Sequence, residues 1–157
     1  MKRIVKSIAI IALIALVVLQ FFRPEKNDSG YASVADFEAE TKVSSEVATL
    51  LKNNCYDCHS NQTQYPWYAE IAPISLWLDD HVKHGKGDFN VSEWATYSLK
   101  KKEHKLEELI EEVKEGEMPL PSYTWIHGDL TSEEKKLLLQ WATLTHNDFR
   151  AALQATQ

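Results

Sequence analysis

Five consecutive residues constrain this chain more than any others: Cys55-Tyr56-Asp57-Cys58-His59. They contain both cysteines of the 157-residue sequence, so no framework of separated disulfides can staple the fold. Cys-x-x-Cys-His is the attachment signature of c-type haem. Two thiols at this spacing reach the two vinyl groups on one porphyrin edge, and the next residue is then held under the iron as an axial ligand. A chain organised around such a motif needs a pocket for a flat macrocycle, and the porphyrin becomes the largest apolar piece of a small core.

Three other chemistries use the same residues. Zinc usually takes four ligands and there is no second cysteine pair, so His59, His81 and His84 would have to complete a site. A thiol oxidoreductase centre normally sits in a βαβ setting, and no segment here shows sustained strand alternation. A plain disulfide across two residues is the third. One haem c, held covalently through Cys55 and Cys58 with His59 on the iron, is the reading with which the rest of the chain agrees.

That rest is patterned as helices. Ser44 or Ser45 caps a first helix with Val47, Leu50 and Leu51 on one face, ending near residues 53–54 just before the motif. A short helix is expected over 74–82, and residues 85–90, Gly-Lys-Gly-Asp-Phe-Asn, read as a loop. A long helix runs from near Ser92 to Glu115, with a break possible at the charged stretch 100–105, and Gly116 stops it. Residues 116–129 hold two prolines and two glycines and read as irregular. Thr131-Ser132-Glu133-Glu134 is a capping box opening the last helix, with Leu137, Leu138, Trp141 and Leu144 as its apolar stripe. The fold class is all-α: a few-helix domain around one haem.

The N-terminus has a basic start, Lys2, Arg3 and Lys6, and then a wholly apolar run over 8–19. Counted from Ile4 to Phe22 the segment has 19 residues, just long enough to span a bilayer at ~1.5 Å rise per residue. No small-residue cleavage site follows, so an uncleaved signal anchor is preferred over a cleaved signal peptide. The expected organisation is a transmembrane helix over 1–22, a linker over 23–40 (polar and turn-forming at 23–32), and a haem domain over 41–157. The expected location is the bacterial inner membrane, single-pass through residues 4–22, with the haem domain in the periplasm. A flexible linker of this size would sweep ~16–27 Å.

Charge narrows the partners. Residues 1–23 hold four bases and no acids, leaving 17 − 4 = 13 bases against 23 acids, or −10, for residues 24–157. That argues against nucleic acid and against adsorption to anionic lipid. Solubility is the simplest reading of such a balance; for a protein partner it favours a basic one, here redox partner proteins with a basic docking surface.

Haem iron has a second axial position. Apart from the initiator, Met118 is the single methionine. It lies in Gly116-Glu117-Met118-Pro119-Leu120-Pro121, where a proline-stiffened loop could bring its thioether to the face opposite His59. His/Met ligation raises the reduction potential. A gap-filling role is the bland alternative. Among the competing histidines, His81, His84 and His127, the last is the serious rival, because it shares a loop region with Met118.

Cys55–His59 followed by Ser60-Asn61, Tyr65-Pro66-Trp67-Tyr68, Pro73, Trp77, Asn90-Val91-Ser92-Glu93-Trp94 and Met118-Pro119 resembles the small haem-binding domain family of bacterial exported proteins. The resemblance runs from about residue 44 to 145. That family is similar to class I cytochromes c, which implies N- and C-terminal helices packed across each other. It also implies a proline whose carbonyl accepts from the haem histidine Nδ1–H. Pro73 is the better-spaced candidate and Pro66 the runner-up. Trp67 and Trp77 would line the haem pocket, or serve as plain core.

The function expected is one-electron transfer by a membrane-anchored monohaem c-type cytochrome, not an enzyme. A haem sensor or small peroxidase-type module, which needs a displaceable sixth ligand, is the alternative. A zinc-binding interaction domain stands behind both.

Overall fold

The computed structural model of the chain describes residues 1–156. Among them it is all-helical: eight α-helices with short 3-10 turns between, and no β pairing beyond an isolated bridge from Asp28 to Gln62.

The haem motif is delivered by a capped helix. In α3 (Ser45–Asn54) the Ser44 hydroxyl accepts from the Val47 amide at 3.3 Å, and Val47, Leu50 and Leu51 are buried. The chain then turns at once into α4 (Tyr56–His59). After a 3-10 turn at Trp67–Glu70 comes α5 (Ile74–Asp88), and after another at Val91–Thr96 comes α6 (Leu99–Glu115). A short α7 (Pro121–His127) leads to α8 (Ser132–Ala155), which packs along α6 and against α3.

The core centres on aromatic edges. Phe37 stands edge-on to Trp94, Trp141 and Phe89, and Phe149 packs edge-on to Trp94 from α8. Both buried indoles are satisfied: Trp94 Nε1–H donates to Glu40 at 2.8 Å and Trp141 Nε1–H to the Thr41 carbonyl at 3.1 Å. Such edge-to-face pairs add to area burial, and the polar handle of each indole finds its acceptor.

The N-terminal expectation is corrected. The first helix, α1, covers Lys2–Leu19 and has three of its residues, Lys2, Arg3 and Lys6, charged. Its unbroken apolar stretch is Ile8–Leu19, twelve residues or ~18 Å, against ~30 Å of hydrocarbon. Residues 20–22 do not extend it. Instead Gln20 leaves the helix and pairs with Ala72, its Nε2 donating to the Ala72 carbonyl at 3.0 Å and its Oε1 accepting from the Ala72 amide at 3.1 Å. No helix among the described residues is long and apolar enough to cross a membrane. This overturns the transmembrane helix over 1–22 and the single-pass inner-membrane location built on it.

The linker over 23–40 is corrected as well. Arg23 and Lys26 pair with Glu70, and the Asn27 side chain donates to the Ser60 carbonyl. A 3-10 turn at Tyr31–Val34 and α2 (Ala35–Glu40) follow, burying Val34 and Phe37 in the core. The segment is part of the domain, so it does not act as a sweeping tether.

Smaller differences have local causes. The expected loop at 85–90 is mostly helix, because α5 runs through Gly85 and Gly87 to Asp88. The 92–115 helix is split, since Ser98 caps α6 separately. Residues 121–127, expected irregular, form α7 with Pro121 in its first turn. On α8 the buried stripe is Leu138, Trp141, Ala142, Thr145, His146 and Phe149, whereas Leu137 and Leu144 are exposed.

Candidate haem site

A cavity of about 590 Å³ opens between the motif and the C-terminal helices, within the range that encloses sizeable organic ligands. Cys55, Cys58 and His59 form one part of its wall. Phe37, Leu51, Val91, Leu109, Val113 and Leu138 supply apolar surface, and Met118 also lines it.

One helical turn aligns the motif. The amides of Cys58 and His59 both donate to the Cys55 carbonyl, at 3.2 and 2.9 Å, and the Cys55 amide donates back to Leu51 at 2.8 Å. Residues at i, i+3 and i+4 then share a face. Ser60 ends the turn by donating its hydroxyl to the Tyr56 carbonyl at 2.7 Å. Buried Tyr56 donates its hydroxyl to Glu38 at 2.9 Å. The two thiols are free, so the plain disulfide is not formed. Burial first, and then the proximity of the Cys58 thiol and of the Asp57 carboxylate, pushes the Cys55 thiol up to about 12. Burial and Asp57 push Cys58 up to about 11. Both are therefore held as neutral S–H at neutral pH.

His59 is oriented from behind. Its Nδ1 lies 2.9 Å from the Phe89 carbonyl oxygen. A carbonyl only accepts, so Nδ1 carries the proton, which in the neutral ring leaves Nε2 as the bare nitrogen. The expectation for Pro73, and for Pro66 behind it, is corrected here. Pro73 is exposed at the start of α5, and the main-chain acceptor comes from the far end of that helix. Nothing in the sequence marked Phe89 for this role, since every residue type carries a carbonyl.

Met118 reaches the cavity because α6 ends abruptly. Gly116 adopts φ 81°, and the amides of Gly116, Glu117 and Met118 all donate to the Glu112 carbonyl at 3.0–3.2 Å. This is the wound-back helix end that a left-handed glycine permits. His81 and His84 also line the cavity, each with Nδ1 on a carbonyl one turn earlier in α5. His127 does not line it. Its Nε2 is 2.9 Å from the Tyr68 hydroxyl, and its ring stacks on Tyr123 at 4.2 Å.

Neither tryptophan lines the cavity. Trp67 is 77% exposed, and Trp77 is 46% exposed and packs on His81. Two further lining residues carry no site signal in the sequence. Gly85 lets α5 approach Cys58 closely, and Tyr123 donates its hydroxyl to the Asn53 carbonyl at 2.7 Å. The zinc alternative loses its ligand set: among the described residues no three His, Cys, Asp or Glu side chains gather where they could hold a metal ion.

Residues 14–144 match the family described as haem-binding domain. The chain belongs to that family. Haem is thus the cofactor of this haem-binding domain, and the site fits it: an apolar cavity with a bare imidazole nitrogen on one wall and a thioether in the lining. The family match begins well before the motif and takes in residues 23–40, in keeping with the burial of Val34 and Phe37 in the core. No curated protein and no solved structure matches the chain.

Proposed function

We propose that this haem-binding domain is a monohaem c-type cytochrome that passes single electrons and is not an enzyme. The observation that carries the reading is that Cys55, Cys58, His59 and Met118 line one cavity. Each neutral thiol would add across one vinyl double bond, sulfur to one carbon and hydrogen to the other, with no net oxidation. His59 Nε2 and the Met118 thioether are the two groups that would hold the iron. Haem so held supplies a reversible one-electron couple. The protein's own share is to keep both axial groups fixed and water out while the charge on the iron changes. The removal of His127 from the cavity lining supports Met118 over that rival. The acidic balance of residues 24–157 supports a basic redox partner.

Two measurements test this. After denaturation and acid–acetone extraction the haem stays on the chain, and substituting both cysteines with alanine releases it. The reduced protein resists carbon monoxide. A haem that extracts from the native sequence overturns covalent attachment. Rapid carbon monoxide binding would instead favour a sensor or peroxidase-type module.

A further inference from the structure

A single peptide group, the one joining Phe89 to Asn90, carries two hydrogen bonds at its opposite ends. Its carbonyl oxygen accepts from His59 Nδ1–H at 2.9 Å. Its N–H, which belongs to Asn90, donates to the Tyr97 hydroxyl oxygen at 3.1 Å. The two ends of a peptide are conjugated, so a partner on the N–H makes the carbonyl a stronger acceptor. Chains of hydrogen bonds reinforce one another most where water is excluded. Asn90 is 1% and Tyr97 8% exposed.

The rest of the peptide's surroundings are fixed. The Phe89 amide closes the end of α5 on Gly85 at 2.9 Å. The Asn90 side chain accepts from the Ser92 amide and donates to Asn61. Tyr97 is itself held, its ring packed on Trp94 and covered by the Lys101 ammonium 3.7 Å from the centroid. The Tyr97 hydroxyl has no other hydrogen-bond partner among the described residues. Phenylalanine would fill the same space, so what tyrosine adds at position 97 is an oxygen aimed at this N–H.

We propose that Tyr97 is a positioning residue for His59, acting through the Phe89–Asn90 peptide to fix the imidazole plane and raise its basicity. This rests on the reading of His59 as an iron ligand. A stronger acceptor behind Nδ1 gives the imidazole more anionic character, which favours Fe(III) and lowers the reduction potential.

The test uses the full-length haem-loaded protein. Tyr97→Phe is expected to raise the midpoint potential and to speed solvent exchange of the His59 Nδ1 proton in nitrogen-15 NMR, with haem content unchanged. Ile110→Val, a buried substitution on α6 outside the cavity lining, controls for general loosening and should leave both readouts at the native values. Native values in Tyr97→Phe, or equal shifts in Ile110→Val, overturn the proposal. If Tyr97→Phe does not hold haem, fluorotyrosine placed at 97 keeps the bond but weakens the oxygen as an acceptor. It must still raise the potential, and an unchanged value overturns the proposal. His59→Ala tests the underlying reading separately, because a native low-spin spectrum in that variant removes His59 as ligand whatever Tyr97 does.

Discussion

A Cβ placed on Gly85 would stand 2.8 Å from the Cys58 carbonyl oxygen and 3.0 Å from the Cys58 Cβ. Helix α5 therefore touches the haem motif with bare backbone, and the obstructing atoms belong mostly to main chain that cannot swing aside. Gly85→Ala is expected to destabilise the protein by about 1–3 kcal/mol, the usual range for overpacking. Gly87, two residues on in the same helix, would place a Cβ in open space. Gly87→Ala should gain ~0.4–1 kcal/mol by restricting the unfolded chain. Urea unfolding of the two variants checks the contrast in sign.

Met118→Ala should open the sixth coordination position. The oxidised spectrum is expected to move toward high spin, the reduction potential to fall as the thioether is lost, and carbon monoxide to bind quickly. His127→Ala, made outside the cavity lining, should change none of these. Optical spectra and redox titration of the two proteins decide between the two ligands.

The start of α8 should weaken in acid. Glu134 accepts from the Thr131 amide at 2.8 Å, and that backbone bond, with help from the Thr131 hydroxyl, holds its carboxyl below the usual 4.5. A carboxyl lowered by folding adds stability that is present above pH 4.5 and lost as pH falls through its folded value. Glu134→Ala should accordingly lower stability at pH 7 and cost much less at pH 3, as read by thermal unfolding at both. Thr131→Ala should cost ~1 kcal/mol at neutral pH.

Residues 31–40 should prove indispensable. Phe37 is fully buried beneath Trp94 and Trp141, and Phe37→Ala is expected to cost ~3–5 kcal/mol. A chain beginning at residue 41 should lack a cooperative unfolding transition, measured by circular dichroism against the full chain.

The legible parts of the sequence were those written in side chains. The haem motif, the Ser44 and Thr131 caps and the Val47–Leu50–Leu51 face were readable because each depends on residue type at fixed spacing. The acceptor behind His59 was not, since it is a main-chain carbonyl. Helix α5 was cut short because Gly85 and Gly87 read as loop, while close approach to Cys58 requires a glycine within that helix. The first α8 stripe chose Leu137 and Leu144 for their apolarity, yet Thr145 and His146 are buried instead. Thr145 turns its hydroxyl back to the Trp141 carbonyl, and His146 meets Glu103 at 3.0 Å. At the N-terminus a count over residues 4–22 reaches the length of a span, but Gln20 leaves the helix to bond Ala72.

The cavity walls come from successive stretches of the chain, with Cys55, Cys58, His59 and Phe89 before Leu109, Met118 and Leu138. The groups that would grip a flat guest therefore lie, apart from Met118, in the earlier stretch, and the later stretch supplies mostly cover.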